Sequence, residues 1–290
     1  MNACPVEMSD HKPCGRPLFI AATGAPDSFC LMHAQRQDKP LQSFLDEITK
    51  LIGFISTRNT LGVIDFRNFY FPAGTDFKDK VFPESVRFVE AIFSHHVDFS
   101  RARFVKNAAF NKATFASADF SLAAFEENSE FELATLHGQA NFHRTSFKAK
   151  AIFKNTQFNS VVNFNEAEIH SSDFLSSTFR STASFQCVRF DEANFAQASF
   201  FADFYCSDAT FTGVALFHYS KLYGPSQFTK TKFGDASFHA AEFLQRADFR
   251  WTDFRNQANF RTVKFQSVSF ESARFHRGAS FVSTVFCEDT

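Results

Sequence analysis

The sequence has no apolar run near the roughly 20 residues that a membrane helix needs, and its N-terminus lacks a signal-peptide pattern. Neither sign of charge is in excess, since 30 Lys and Arg face 31 Asp and Glu, for a formal net charge of −1. A near-neutral chain is not expected to present a broad nucleic-acid-binding face. These absences predict a cytoplasmic protein with no membrane contact and no direct nucleic-acid binding.

Cysteines and catalytic motifs are also sparse. Six cysteines in 290 residues do not make a dense disulfide framework. Cys187, Cys206 and Cys287 are scattered singly, and we expect them to be free, partly buried thiols. The sequence contains no Gly-rich phosphate loop, no nucleophile elbow and no His-Glu-x-x-His helix. We therefore expect a protein that is not an enzyme.

Phenylalanine, in contrast, is abundant, with 45 residues in the chain. From Phe66 to Phe286 a bulky apolar residue, nearly always Phe, recurs every five or six positions, and a small or β-branched residue usually stands two positions before it. We call each of these bulky residues a centre. A spacing of five fits neither an α-helix nor a long strand. The pattern therefore predicts a solenoid of very short extended segments joined by corners.

Strand geometry predicts which residues point inward. Side chains alternate along an extended segment, so the centre and the small residue two positions before it face the interior together. A narrow interior filled with rings needs such small neighbours to reach native packing density. The position directly before the centre should face solvent, and it often carries Asp or Asn, as at Asp65, Asn141 and Asp248.

The motif Ala-(Asp/Asn)-Phe occurs at 118–120, 140–142, 193–195, 247–249 and 258–260. It resembles the repeat of the pentapeptide-repeat family, Ala-(Asp/Asn)-(Leu/Phe)-x-x, and the resemblance covers about three quarters of the chain. It implies an all-β fold, a right-handed four-sided (quadrilateral) β-helix with four pentapeptides per coil. With this spacing of centres the solenoid should have about ten coils.

The spacing of the centres alternates in an orderly way. Counted from Phe66, the step after an odd-numbered centre is five residues, whereas the step after an even-numbered centre is six in about three quarters of cases. Extra residues therefore fall only at alternate corners, which lie diagonally in a four-sided coil. We expect two opposite wide corners, two tight corners and coils of 21 to 22 residues.

Residues 1–38 differ from the rest, because they contain three cysteines and two histidines but no repeat. Four of these residues form a candidate ligand set: Cys4, Cys14, Cys30 and His33. Thiolate sulfur and imidazole nitrogen suit structural zinc in a segment too small for its own core. His11 is an alternative ligand, Gly15 would relieve crowding around a metal, and reduced structural thiols or a redox thiol are alternative roles for the cysteines.

Residues 39–57 have the apolar spacing of one amphipathic helix. Its apolar positions are Leu41, Phe44, Leu45, Ile48, Leu51, Ile52 and Ile55. A helix directly before the first coil is expected to cap the first rung of Phe, although a partner-binding helix is an alternative. The predicted domains are a zinc-binding module at 1–38, a capping helix at 39–60 and the β-helix at 61–290.

The sequence after Phe286 is too short to cover a terminal coil. An open end presents unpaired backbone groups and apolar rings, which natural proteins usually protect. We therefore expect a homodimer through an uncapped C-terminal end, as in related pentapeptide-repeat proteins, with a local tuck of the last coil as the alternative.

Residues 21 or 22 apart become vertical neighbours on the rod, and this places Asp76, Asp98 and Asp119 in an acidic strip. The strip is either a phosphate-like or cation-binding row, or the ordinary usage of Asp at this repeat position. A second vertical row, Phe201, Tyr223 and Leu244 following Arg180, should form an exposed apolar ladder with Tyr219 near it. Exposed contiguous apolar surface usually marks an interface, and cross-rung packing is the alternative.

Two functions are consistent with these features. The first is a non-enzymatic interaction scaffold with an unidentified protein partner, built on a rigid rod. The second follows from the family resemblance, because some pentapeptide-repeat proteins imitate duplex DNA, bind the topoisomerase DNA gyrase and protect it from quinolones or peptide toxins. The near-neutral charge and the short acidic strip favour the scaffold.

Overall fold

The computed structural model describes residues 3–8, 12–20, 27–56 and 62–287. Within this part of the chain, helix α1 spans Leu41–Ser56 and short strands follow it. The strands, β1 to β32 in chain order, are Val63–Asp65, Tyr70–Phe71, Val81–Phe82, Ser85–Arg87, Ile92–Asp98, Arg103–Phe104, Ala108–Ala109, Thr114–Asp119, Ala124–Phe125, Ser129–Glu130, Thr135–Leu136, Ala140–Asn141, Ser146–Ile152, Gln157–Phe158, Val162–Asn163, Glu168–Asp173, Thr178–Phe179, Ala183–Ser184, Arg189–Asn194, Ser199–Phe200, Phe204–Tyr205, Thr210–Leu216, Lys221–Leu222, Ser226–Gln227, Lys232–Ser237, Glu242–Asp248, Asp253–Phe254, Ala258–Asn259, Lys264–Ser269, Arg274–Phe275, Ala279–Ser280 and Val285–Phe286.

All the strands pair in parallel with the strand one coil away. Val86 of β4 pairs with Ala108 of β7, and Ala108 pairs with Ser129 of β10, so successive coils are offset by 22 and then 21 residues. The strands form two 16-stranded sheets. The predicted right-handed solenoid is confirmed, with about 11 coils where ten were expected.

The two kinds of corner differ as the unequal spacing predicted. After each odd-numbered centre the chain makes a tight turn, in which the carbonyl of the centre accepts a hydrogen bond from the third residue on, as between Phe77 O and Lys80 N (3.1 Å). After even-numbered centres, strands such as β5 continue around a wide corner with a shift of register between Phe93 and His96. Each sheet therefore folds around one wide corner.

The tight turns have a feature that the sequence did not predict. The second residue after each odd-numbered centre is in the left-handed region, with φ between 53° and 60°, and none of these residues is glycine. The backbone N–H of this residue donates to the next coil, as from Arg101 N to Ser121 O (2.9 Å). The strain of a left-handed non-glycine residue is therefore compensated by a framework of hydrogen bonds.

The Asp and Asn residues before the centres stabilise these turns. The carboxylate of Asp98 accepts a hydrogen bond from the backbone N–H of Ser100 at 2.6 Å, and Asp119 accepts one from Ser121 at 2.8 Å. Asp and Asn favour turns because their short side chains bond to backbone two residues on. Their frequency at this position thus has a structural cause.

Stacked phenylalanine rings fill the interior. Phe120 stacks between Phe99 and Phe142, with ring centroids 4.8 and 5.0 Å away and planes within 2° of parallel. Neighbouring columns meet edge to face, as Phe110 and Phe120 do at 5.6 Å and 84°. Most inward hydroxyls bond to a backbone carbonyl, as Thr145 does to Phe120 O of the coil before at 2.8 Å, whereas the buried Ser129 hydroxyl has no partner among the described residues. The interior is therefore close-packed, and nearly all of its hydroxyls are hydrogen-bonded.

One coil exchanges the sizes of its two inward residues. Phe204 follows the centre Phe200 by only four residues in the sequence. It pairs with Ala183 and Ser226, which are small-residue positions. Cys206 then stands at the centre and is completely buried. The register is therefore kept, and a ring and a small side chain have changed places.

The three cysteines of the rod are free, as expected, but none of them is partly buried. Cys206 is buried because it takes the place of a central ring, whereas Cys187 and Cys287 are exposed. Cys187 occupies the left-handed position of a tight turn, at φ 56°. In the other tight turns, too, the left-handed residue lies on the outside of the rod.

Helix α1 packs on the first coil with its apolar side. Phe44 is buried and meets Phe71 edge to face at 5.6 Å, and Ile48 is buried beside it. Ile55 belongs to the helix, but its side chain lies outside the described residues. No helix in the described ranges is long and apolar enough to cross a bilayer. The first coil is thus covered, whereas Phe286 in the last described strand is 53% exposed.

Removing a stacked ring should be far more costly than removing an outward one. We expect Phe120→Ala to lower the free energy of unfolding by about 3–5 kcal/mol, because it leaves a cavity between two rings. Phe201→Ala is the matched control, since this Phe points outward and is 46% exposed. Chemical denaturation of both variants measures the difference, and equal losses would refute the inward and outward assignment.

The exchanged coil makes a second prediction. Phe204→Ala should leave a cavity, and Cys206→Phe should overpack the site by about 1–3 kcal/mol, because the Phe204 ring already lies 5.4 Å from Phe228. The double variant restores the usual small-large order and should be more stable than either single variant. Denaturation midpoints test this cycle. If the losses in the free energy of unfolding of the two single variants simply add in the double variant, the exchange of sizes is not the cause of those losses.

Candidate metal centre and exposed ladder

The first part of the N-terminal module is an irregular hairpin. Cys4 N donates to Arg16 O at 2.9 Å, and Cys14 N donates to Val6 O at 2.7 Å. Gly15 follows Cys14 at φ 67°, and a Cβ there would meet nothing nearer than 3.7 Å. Glycine is therefore favoured here by its left-handed conformation, and the described protein atoms around it leave room for a Cβ.

A short turn supplies the other two donors. Ala34 N and His33 N both donate to Cys30 O, at 2.9 and 3.1 Å. This turn puts the sulfur of Cys30 and the imidazole of His33 on one side, as a close Cys-x-x-His pair can. Both side chains are buried, and so is Cys4.

The structure brings the four predicted donors together. Their ligand atoms all lie within 4.8 Å of one another. His33 Nδ1 is 3.3 Å from the sulfur of Cys4 and 3.3 Å from that of Cys30, and Cys14 Sγ is 3.9 Å from Cys30 Sγ. The thiols are free rather than joined as disulfides. This cluster of three sulfurs and one nitrogen could bind a metal ion. His11, the alternative ligand, lies outside the described residues.

The ligand cluster is tied to the first coil through His33. With Nδ1 facing the sulfurs, Nε2 lies 3.3 Å from the carbonyl oxygen of Arg67 and donates to it. The imidazole also meets Phe69 edge to face at 5.0 Å. Such an outer hydrogen bond fixes the orientation and tautomer of a ligating histidine. This contact could not be predicted from the sequence, because it joins residues 34 positions apart.

Lys39 forms a second tie between the module, the helix and the rod. Its Nζ donates to Met32 O at 3.2 Å and to Tyr70 O at 2.8 Å, and it lies 5.2 Å from the centroid of Phe44. Burial lowers the pKa of Lys39 to about 7, but two carbonyls and aromatic faces favour the ammonium form. Nothing in the sequence distinguishes Lys39 from a surface lysine, so its role could not be predicted.

The predicted apolar ladder forms on the outside of the rod. The rings of Phe201 and Tyr223 are stacked, with centroids 4.7 Å apart and planes within 3°. Arg180 lies over Phe201 at 5.9 Å, and Leu244 continues the row at 42% exposure. Tyr223 is half-buried between its neighbours.

Tyr219 lies apart from this row. It occupies a tight turn at φ 56° and meets the ring of His239 at 5.5 Å. Gly224, beside the ladder, permits a close approach of two coils, since a Cβ there would come within 2.4 Å of the Ala202 backbone.

The acidic strip also forms, because Asp76 bridges to Asp98 and Asp98 pairs with Asp119. Its charge is partly neutralised. Lys78 Nζ lies 3.9 Å from Asp98, and Asn141 donates to Asp119 at 3.1 Å. Because each carboxylate also accepts a backbone N–H of its own turn, the strip has a structural role.

No protein-family model matches the chain, and no curated protein matches it. Among solved structures, one similar chain is QnrB1, a plasmid-mediated fluoroquinolone resistance protein, at 12% identity over 73% of this chain and 91% of that chain, with a TM-score of 0.37. Another is HetL, a pentapeptide repeat protein involved in heterocyst differentiation regulation from the cyanobacterium Nostoc sp. strain PCC 7120, at 12% identity over 78% and 90%, with a TM-score of 0.25. The chain resembles pentapeptide-repeat proteins.

Proposed function

We propose that the chain is a non-enzymatic protein-interaction scaffold. The observation that carries the proposal is the stacked pair Phe201 and Tyr223 on the outside of a rigid rod. Stacked interior rings and coil-to-coil hydrogen bonds hold the backbone under these side chains, so little conformational entropy is lost when a partner binds. Aromatic side chains on a rigid base are typical of interface hot spots.

The arrangement of the rod supports a surface function over catalysis. Its interior is filled by phenylalanine, and the cavities found on the described coils are surface grooves, such as the one lined by Ser146, His170 and Arg189. Another cavity lies between the N-terminal module and helix α1. His170 pairs with Asp191 at 2.6 Å, and the same carboxylate accepts a hydrogen bond from Thr212 at 2.8 Å, so these groups are engaged in contacts between coils. We therefore keep the proposal of a protein that is not an enzyme.

The ladder makes a direct prediction about partners. Phe201→Ser with Tyr223→Ser should leave the melting temperature nearly unchanged, because outward groups add little to stability. It should weaken the complex formed there by about 2 kcal/mol or more if the rings are hot spots. Affinity capture with mass spectrometry measures the partners, and light scattering shows whether the complex is a homodimer.

The matched control replaces two other exposed apolar residues, Leu122 and Leu133, with Ser. Both occupy tight turns and are about half exposed, but neither belongs to the ladder. This variant should keep all captured partners. If the ladder variant also keeps its partners and its mass in solution, the ladder is only cross-rung packing.

A homodimer through the last coil is part of the same proposal. Phe281 and Phe286 expose apolar rings in the last described coil, and such a surface can be self-complementary in a two-fold contact. If the homodimer forms through the last coil, the variant with Phe201→Ser and Tyr223→Ser should remain a dimer in light scattering. It should lose only the separate partner that binds the ladder.

We further propose that the ion bound by the N-terminal cluster is zinc, with a structural role. A tetrahedron with zinc bonds of about 2.3 Å to sulfur and 2.0 Å to nitrogen has edges of roughly 3.8 Å between sulfurs and 3.5 Å between sulfur and nitrogen. The Cys14–Cys30 distance of 3.9 Å and the His33 distances of 3.3 Å are close to these edges. Four protein donors leave no open position for catalysis.

Elemental analysis tests this proposal. We expect about one zinc per purified chain, as in closed four-ligand sites, and Cys30→Ser should lose it. The loss should unfold residues 1–38 and leave the coils beyond the first intact, because the cluster contacts only the start of the rod. Cys187→Ser, on an exposed turn, is the control and should keep its zinc. Absence of zinc from the unmodified protein would refute the proposal.

DNA gyrase binding by DNA mimicry is the second proposal for the chain's function, and it has weaker support. A DNA mimic needs a long, continuous negative face. Here the row of carboxylates stops after Asp119, where Asn141 and Asn163 continue it as a ladder of amide hydrogen bonds. A basic residue, Lys78, lies beside the strip. The interaction scaffold therefore remains the better-supported function.

A further inference from the structure

A groove on the later coils of the rod is not used by the proposed scaffold surface. It has a volume of about 840 Å³, which is in the range of small-molecule sites. Its main lining residues are Asp208, Lys230, Lys232, Trp251, Asp253 and Arg274.

Two vertical rows of residues build the groove. Lys230 and Trp251 occupy the left-handed position of tight turns on consecutive coils, at φ 58° and 55°. In the second row, Lys232 of β25 pairs with Asp253 of β27, which pairs with Arg274 of β30. Both rows belong to the hydrogen-bonded framework, so their side chains start from fixed positions about 4.8 Å apart.

The side chains of the three cations in the groove have no ion-pair or hydrogen-bond partner among the described residues. Lys230, Lys232 and Arg274 are exposed, and in the described ranges none of them forms an ion pair or a side-chain hydrogen bond. Elsewhere on the rod, cations are commonly paired across coils, as Lys112 is with Glu90 at 3.1 Å. Three unpaired cations in one concave surface favour an anionic ligand.

Trp251 gives the groove an aromatic wall. It is the one tryptophan in the chain, and its side chain is 47% exposed. Arg250 lies over the indole at 5.5 Å, and Asp248 holds that guanidinium with bonds of 2.9 and 2.6 Å. An indole held in this way is a platform on which a planar group can stack.

Two carboxylates in the same groove restrict the class of ligand. Asp208 is exposed, and Asp253 accepts hydrogen bonds from His276 at 2.6 Å and from Arg255 at 3.3 Å. An acidic peptide would bring its own carboxylates against them. A nucleotide carries phosphate for the cations, a planar base for the indole, and amino or hydroxyl groups that can donate to a carboxylate.

The net charge of the whole chain does not reveal that the surface around this groove is basic. Residues 208–290, which include every lining residue of the groove, contain ten Lys and Arg and eight Asp and Glu, a net charge of +2, so residues 1–207 carry −3 and the chain −1. The expectation of no direct nucleic-acid binding rested only on the net charge of the whole chain. It therefore does not exclude binding at one basic groove.

We propose that this groove binds a nucleoside phosphate, with the base stacked on Trp251 and the phosphate held by Lys230, Lys232 and Arg274. The ligand is either a free nucleotide or a segment of single-stranded nucleic acid. An open groove along a rod admits both, because neither needs an enclosed cavity.

The lone tryptophan reports binding in the full-length protein. Titration with AMP, ATP, oligothymidylate and oligoadenylate at about 50 mM salt, where phosphate contacts are strong, should quench its fluorescence. Stronger binding of the strands than of the mononucleotides identifies a nucleic-acid ligand. Equal or stronger binding of the mononucleotides identifies a free nucleotide.

Variants locate the site, with anisotropy of a fluorescein-labelled form of the tightest ligand as the readout. Lys230→Ala, Lys232→Ala and Arg274→Ala should each weaken binding and lower its salt dependence by about one unit of slope. Trp251→Ala should weaken binding at least about fivefold, the lower end for a lost stacking contact, and Trp251→Phe should retain most of it. Lys264→Ala, an exposed lysine in β29 of the other sheet, is the matched control.

Three results would overturn the proposal. The first is the absence of quenching and anisotropy change with every ligand. The second is an equal loss of binding in Lys264→Ala and in the groove variants. The third is that pyrophosphate or polyglutamate displaces the ligand as effectively as unlabelled nucleotide does. In that case the groove would respond to charge alone.

Discussion

The structure depends on the match between two distances, the spacing of parallel strands and the centroid separation of offset-stacked aromatic rings. Strands pair at about 4.8 Å, and phenylalanine rings such as Phe99 and Phe120 stack at 4.8 Å. A column of rings therefore fits a column of strands without gaps or strain. Each coil gains ring stacking and strand pairing together, which explains why almost every centre is phenylalanine.

Other features follow from this match. Four ring columns in a narrow rod leave room only for small inward neighbours, and where Phe204 takes such a position, Cys206 takes the place of the ring. The alternate corners must be tight. Even Leu122 and Trp251, which are unsuited to a left-handed turn, therefore adopt φ near 60° there. The interior leaves no space for a ligand. Function is therefore expected on the outward rows, where coil spacing aligns residues that are far apart in sequence.

Much of this arrangement could be predicted from the sequence, because the repeat is local. The spacing of the centres predicted the coil, the two kinds of corner and the outward position of Phe201. The Cys and His pattern predicted which four side chains meet at the N-terminus. Contacts that join unrelated segments could not be predicted, such as His33 with Arg67 or Lys39 with Tyr70. Nor could the left-handed turns, since their conformation is imposed by the neighbouring coils and not by the turn residues themselves.

Amide hydrogen exchange along the full chain tests the central claim most directly. If stacked coils form one rigid framework, the turn amides of Arg101 and Leu122, which donate to the next coil at 2.9 Å, should be protected as strongly as the strand amides beside them. Uniform protection through the middle coils is the predicted result. Fast exchange at alternate turns in the middle of the rod would contradict it, because the turns would then be loops attached to a core.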